Sequence, residues 1–408
     1  MKKKIIGILV GTLVIMTIVS QVSACTGFTY DDENNVIASC NEDSGFINFN
    51  LRFFPPENNK HGMVFFEVAE PQSDGSFILQ PYASMNDQGC WYSAYGTPYL
   101  KPMDSIDKPV FTNADCHYKD NIAEYCTAEC TTVVEVIDII NDYNLESWSN
   151  FQVFVADKTG NSAIIEVDDI IYKKANFQVV SNFLLSHPEL GDIADGFERY
   201  DLAVSMLKDM TEPSVEYFTD ILNATHLSST IYSIICDLEN QIIYMYYLHN
   251  YENQVVIDLN EELQKGKHNI YLGSLFEPDG NQPPDKPEPP KGDESGLPGE
   301  DKEFTVTKTS DPEKNKISYI FDWGDGTQSL WLYKTMGTIK SSHNWTERGT
   351  YNVRVKARDI YGAESEWSDP LVVTMPRVKI INRSLLNFLE DHPILSLILQ
   401  KLIQRLGL

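Results

Sequence analysis

The chain has 408 residues, with 32 Lys plus Arg against 59 Asp plus Glu and a formal net charge of −27 at pH 7. That acidity excludes a nucleic-acid binder, because nothing basic enough is present to displace counterions from phosphate. At 42% hydrophobic and 11% aromatic residues, the chain is globular rather than disordered, and long enough for two domains with one sizeable core.

The first element in chain order is a basic start, Met1–Lys4, followed by an apolar run, Ile5–Val19, and a small-residue segment, Ser20–Ala24. This pattern predicts a secretory signal over residues 1–24 rather than a membrane-spanning helix. Cleavage after Ala24 removes three lysines, takes the charge to −30 and makes Cys25 the first residue of the mature protein. Val22-Ser23-Ala24-Cys25 fits a bacterial lipobox, in which the cysteine is acylated, and equally a signal whose removal frees an N-terminal nucleophile. The residues after Cys25 favour the nucleophile. An anchoring cysteine needs a flexible spacer, whereas Thr26–Tyr30 is strand-like at once, Asp31–Asn35 reads as a turn and Val36–Ala38 begins the return strand.

The six other cysteines are Cys40, Cys90, Cys116, Cys126, Cys130 and Cys236. In an exported protein such an even set offers disulfides, whose pairing is not legible in the sequence. Cys126 and Cys130, four apart on a predicted helix and near Cys116 and His117, have poor spacing for a zinc site. No metal or cofactor is expected.

An N-terminal cysteine supplies both halves of a nucleophilic site. Its thiol, with an ordinary pKa of about 8.5, attacks carbonyls as the thiolate, and its own α-amine, at about 8, accepts the thiol proton and returns it to a leaving amine. Such a site still needs an acceptor to hold the ammonium and donors for the tetrahedral oxyanion.

Several stretches resemble one family in order and spacing. Cys25-Thr26-Gly27-Phe28 with Asn41-Glu42-Asp43, then Ala83–Gly89, Phe154–Glu166, Val180–Phe183, Glu198–Tyr200 and Thr230–Ser233 with Asp237 resemble the N-terminal-nucleophile (Ntn) hydrolases. The resemblance is to the choloylglycine hydrolase, penicillin V acylase and linear-amide C–N hydrolase group, and it covers about residues 25–275. It implies an α+β fold, two stacked antiparallel sheets between helical layers (αββα). It also implies Cys25 as nucleophile, Asp43 as the carboxylate holding the amine, Asn182 as an oxyanion donor and Arg199 as the arginine steadying the network. A second oxyanion donor is expected after Gly89, at Tyr95 or Gly96, with Tyr95 preferred. Asn86 is read as shaping its turn. One departure stands out: where the bile-salt and penicillin enzymes typically carry arginine, three residues before the aspartate, this chain has Cys40. That puts bile-salt or penicillin specificity in doubt, although some linear-amide relatives also lack the arginine.

Strands are expected at Met63–Val68, Gln152–Ala156, Ala163–Val167, Gln178–Ser181, Ile231–Asp237 and Gln241–Tyr247, and helices at Thr131–Asn141, Tyr200–Met210 and Val215–Leu222. These place the catalytic domain at 25–276. Residues 277–302 hold seven Pro, four Gly and eight acids and read as an extended linker. Residues 303–376 read as an all-β sandwich. Its Asp322-Trp323-Gly324-Asp325-Gly326-Thr327, His343-Asn344-Trp345 and Gly349–Asp359 resemble a PKD domain, an immunoglobulin-like surface module, which implies spacing or adhesion rather than chemistry. Asp322 and Asp325 are read as turn and packing residues before a cation site.

The tail, 377–408, is basic and amphipathic. From Ile394 to Leu406 its apolar residues recur at helical spacing, offering a contact with a membrane, a cell surface or a partner, or packing on its own chain. The expectation is thus a secreted or cell-surface cysteine Ntn hydrolase acting on a small-molecule N-acyl (linear amide) substrate. The alternatives are a surface-anchored binding protein on the same fold and an amine acyltransferase.

Overall fold

The computed structural model describes residues 25–71, 77–101, 108–113, 116–118, 120–333, 338–376, 388–389 and 391–406. The signal at 1–24 and the start of the tail at 377–387 lie outside the described residues. The described chain forms two compact units. The first runs to Gln282 and includes Asp359–Ala363; the second comprises Pro283–Arg358 and the residues from Glu364 on.

The first unit holds two antiparallel sheets. The six-stranded one contains β1 (Thr26–Asp31), β2 (Val36–Asp43), β10 (Phe177–Val180), β11 (Thr230–Asp237), β12 (Ile242–Tyr247) and β13 (Asn250–Asp258), in the order β10-β1-β2-β11-β12-β13. The eight-stranded one contains β3 (Asn50–Phe54), β4 (Met63–Pro71), β5 (Phe77–Asn86), β6 (Trp91–Gly96), β7 (Phe151–Ala156), β8 (Ser162–Ile165), β9 (Ile170–Tyr172) and β14 (His268–Tyr271). Its order is β14-β3-β4-β5-β6-β7-β8-β9. Five α-helices accompany them: α1 (Ile122–Glu129), α2 (Val133–Asn141), α3 (Gly196–Asp209), α4 (Val215–Thr225) and α5 (Leu259–Gln264).

Alternation along β1 and β2 sets the packing. Phe28 and Tyr30 of β1 and Ile37 of β2 project to one face, where they bury against Ala203 and Leu207 of α3 and Phe218, Ile221 and Leu222 of α4. Each fully buried side chain of this size contributes roughly 1.5–3 kcal/mol. On the opposite face Thr29 Oγ1 lies 3.0 Å from Ser162 Oγ of β8, so side chains of the two sheets meet there. Aromatic contacts extend that inter-sheet layer, with Tyr232 of β11 5.4 Å from Phe66 of β4. The other side of the eight-stranded sheet buries Tyr92, Val153 and Ile165 against Ile122 of α1 and Val136, Ile137 and Ile140 of α2.

Local signals explain the ends of these elements. Helix α2 begins with a reciprocal capping box between Thr132 and Glu135. The β5–β6 turn depends on Gly89, at φ +77°, where an added Cβ would stand 2.1 Å from the Leu238 carbonyl. Asn86 shapes that turn: Oδ1 accepts from the backbone of Gln88 and Cys90 (3.0 and 2.9 Å), and Nδ2 donates to the carbonyls of Thr127 and Cys130 (both 2.8 Å).

The second unit has two three-stranded sheets. One orders β15 (Lys291–Gly292), β16 (Asp301–Val306) and β18 (Ile339–Asn344); the other orders β17 (Ile317–Asp322), β19 (Gly349–Asp359) and β20 (Leu371–Met375). Its aromatic core includes Phe304, Phe321, Trp323 and Trp345. The Pro- and acid-rich stretch expected to be linker is largely part of this unit, and Lys291 pairs with Thr305 of β16. An extended backbone suits a sheet edge as well as a tether, so composition did not separate the two. Asp322 accepts from Arg354 at 2.6 Å, and Asp325 is bonded by His343 and Thr327 at 2.7 and 2.6 Å, the turn and packing roles expected for them. A final helix, α6, spans Pro393–Leu406, and its Ile394, Leu395 and Leu397 are exposed. No helix among the described residues is long and apolar enough to cross a membrane.

No disulfide joins any of the seven cysteines in the structure, although an even set offered them. Five of the other six are buried in strands or against α1, where each behaves as a small apolar side chain. Among the described residues no group of three or more His, Cys, Asp or Glu could hold a metal ion.

Candidate active site

Strand β2 is buried along its whole length, yet it ends in Asn41, Glu42 and Asp43. Three polar residues on a central buried strand demand partners, since an unpaired buried polar group is costly. Asn41 binds the carbonyl of Leu222 and the Ser233 hydroxyl, at 2.9 and 2.6 Å. Asp43 accepts from the Thr230 hydroxyl across the β2–β11 pairing, and Arg199 Nη1 lies 3.3 Å from its Oδ2.

Arg199 organises the rest. Placed in the first turn of α3 with its side chain buried, it donates Nη1 to Thr26 Oγ1 at 2.5 Å, Nη2 to Asn182 Oδ1 at 2.6 Å and Nε to the Ala194 carbonyl at 3.1 Å. Because the guanidinium only donates, it identifies the Asn182 atom it touches as oxygen. The Asn182 amide nitrogen then points the other way, to the Gly96 carbonyl at 2.8 Å. The loop carrying Asn182 is itself clamped. Gln152 Nε2 donates to the carbonyls on both sides, Ser181 at 2.6 Å and Phe183 at 3.0 Å, and Glu166 accepts from the Leu185 backbone at 2.6 Å.

Cys25 precedes β1 and is fully buried. Its carbonyl accepts from Ser181 Oγ at 3.4 Å, and the Asp43 backbone N–H donates to its sulfur. Burial pushes the thiol well above its ordinary pKa, and the carboxylates of Glu42 and Asp43 push the same way. The neutral thiol is therefore favoured over the thiolate. Burial also raises the Asp43 carboxyl to about 6, against the lowering effects of Thr230 and Arg199. Burial lowers Arg199 from its ordinary value, and Asp43 opposes this.

Cys25, Asp43, Asn182 and Arg199 are thus joined in one hydrogen-bonded network. Tyr95 is buried in the inter-sheet layer with its hydroxyl over Gly27, where an added Cβ would stand 2.1 Å from it. Burial, then the Cys40 sulfur, raises the Tyr95 phenol, which keeps its proton. Gly96 presents its carbonyl to Asn182 rather than an N–H. Cys40 pairs with Gly27 in register and is fully buried. Sequence reasoning assigned no role to Thr26, Thr230, Gln152 or Glu166. Gln152 carried a signal, a polar residue at an inward position of the apolar strand Phe151–Ala156.

Comparison with known proteins identifies the second unit. The family model described as PKD domain matches residues 282–375. Among solved structures, the chain is similar to the "PKD domain of M14-like peptidase from Thermoplasmatales archaeon SCGC AB-540-F20". The identity is 39%, over 24% of this chain and 99% of that one, with a TM-score of 0.22. It is also similar to the PKD domain of the human VPS10 domain-containing receptor SorCS2, at 20% identity over 24% and 82% of the two chains, with a TM-score of 0.17. No curated protein matches the chain. Residues 282–375 belong to the PKD domain family.

Proposed function

We propose that the first unit is a cysteine Ntn hydrolase that cleaves a linear amide, exported and carrying the PKD domain as a surface module. The observation that carries this reading is the convergence on Arg199 of Thr26, Asp43 and Asn182, beside Cys25 at the head of β1. The two sheets with helices on their outer sides are consistent with αββα layering. PKD domains are typically extracellular, which fits a signal cut after Ala24.

Once Cys25 is N-terminal, its α-amine takes the Sγ proton as sulfur bonds to the substrate carbonyl carbon. The oxyanion so formed is stabilised by Asn182, whose amide nitrogen exchanges the Gly96 carbonyl for it, and by the Tyr95 hydroxyl. The ammonium, held by Asp43, returns the proton to the leaving nitrogen, the C–N bond breaks and a thioester remains. Water then adds to the thioester carbonyl and the C–S bond breaks, releasing the acid and restoring the thiol. An amine in place of water gives acyl transfer through the same thioester. The carboxylates around Cys25 and the absence of arginine at position 40 support the other reading, a binding protein on this fold.

The test is intact mass of the exported protein, alone and after an acyl electrophile. The expected species begins at Cys25 and gains one acyl group there, and Cys25→Ala takes up none and releases no amine from N-acyl amides. A mature chain with a blocked or lipid-bearing Cys25, or undiminished turnover by Cys25→Ala, refutes the mechanism.

A further inference from the structure

The first unit contains a cavity of about 610 Å³, lined by Tyr92 and Val153 on the helix-covered side of the eight-stranded sheet and reaching Tyr95 and Gly96, whose carbonyl accepts from Asn182. A cavity of this size holds a small organic molecule. Its lining is chemically one-sided. The rings of Tyr82, Phe111, Trp148 and Phe151 supply apolar and π surface, and Glu70 and Asp120 supply two carboxylates. Among the described lining residues there is no Lys, Arg or His. Glu70 is half-buried and oriented by the Tyr82 hydroxyl, which donates to it. Carboxylates beside aromatic faces attract a cation both by charge and by the ring quadrupole, and repel an anion.

We propose that this cavity binds an organic ammonium, an amine bearing an aromatic or apolar group. A released leaving amine is such an ion near neutral pH, and the cavity meets the network at Gly96, whose carbonyl accepts from Asn182; on the hydrolase reading, on which this second step rests, the cavity takes the amine side of the substrate. The substrate class is then N-acylated amines of neutral or cationic character, with acidic conjugates such as N-acyl amino acids excluded by charge.

The experiment is calorimetric titration of the full-length Cys25→Ala chain at low salt with three probes of one skeleton: 3-phenylpropylamine, 3-phenylpropan-1-ol and 3-phenylpropanoate. The ammonium is expected to bind about tenfold tighter than the alcohol and the carboxylate weakest. Glu70→Gln and Asp120→Asn should each reduce the ammonium's affinity while leaving the alcohol's unchanged. Equal affinity for the three probes, or no saturable binding, overturns the proposal. The probe series on the Cys25→Ala chain decides even where a carboxylate variant fails to fold. Failure of wild-type Cys25 to form an acyl-enzyme would reject the hydrolase reading and its consequence for substrate, while cation-selective binding would still stand.

Discussion

Each unit sets an arginine against an aspartate. In the PKD domain Arg354 meets Asp322 at 2.6 Å, with the arginine side chain 40% exposed and the aspartate 16%. In the first unit Arg199 meets Asp43 at 3.3 Å, with exposures of 6% and 1%. The shorter pair is the cheaper one to keep, because water still solvates it, and exposed pairs contribute about 0–1 kcal/mol. The longer pair has surrendered its hydration, and attraction inside a protein often fails to repay that loss. Apolar replacement of such a pair is often neutral or stabilising, so stability alone is a weak reason for keeping it. Besides the bond from Arg199 to the Ala194 carbonyl, its remaining hydrogen bonds go to Thr26, Asn182 and Thr230, members of the network that includes Cys25. The difference teaches where to look for chemistry: at the pair whose burial is expensive, rather than the one with the better geometry.

That comparison breaks or sharpens on four measurements. The largest effect is expected from Arg199→Met, which strands the Asp43 carboxylate and should destabilise the first unit by about 3–5 kcal/mol in urea unfolding. A loss below about 1 kcal/mol would erase the distinction between the two pairs. Gln152→Leu comes next. It removes the donor shared by the Ser181 and Phe183 carbonyls, a cost of about 1–3 kcal/mol, and should lower kcat with little change in KM as Asn182 loses its placement. Equal changes in kcat and KM would assign Gln152 to substrate binding instead.

The third effect is on pH dependence. With the Asp43 carboxyl raised to about 6, its charge is lost as pH falls through that value, and with it, in the proposed mechanism, the partner of the α-ammonium. kcat/KM for N-acyl amide cleavage should therefore decline on the acid side of about pH 6 and hold above it. An unaltered acid limb in Asp43→Asn would assign that limb to another group. The smallest effect belongs to Arg354→Met, expected within about 1 kcal/mol of wild type in the second unit's transition. A larger loss would mean that the PKD pair is structural in its own right.

Much of the β architecture was legible because alternation reports directly on which face of a strand is buried. β4, β7, β8, β10, β11 and β12 lie where the sequence carries short strand-like apolar runs, within a few residues of the expected bounds. In the first unit β3, β6, β9, β13 and β14 were missed, and β5 was expected only at its end, Ala83–Asn86. Helix α3 begins at Gly196 rather than Tyr200, which puts Arg199 inside its first turn. The preceding Asp195 is left-handed, at φ +57°, and makes no side-chain cap, so the usual start signal is lacking. Helix α1 was expected around Cys126 and Cys130, without bounds; the structure starts it after the Asn121 cap and ends it at Glu129, which leaves Cys130 as the C-cap.

By itself the sequence determined that Cys25 would open the mature chain if the signal is cut after Ala24, since that depends only on local residue order. It also determined the PKD domain, whose Trp and Asp turn residues lie close together along the chain. Only the tertiary structure decided that Thr26, Asp43, Asn182 and Arg199, spread over more than 170 positions, meet at one guanidinium. It likewise decided that most of the cysteines lie enclosed in the core. The physical reason is the range of the forces. Turn chemistry and alternation act over a few residues, whereas burial and charge pairing are set by whatever the folded chain brings within a few ångströms.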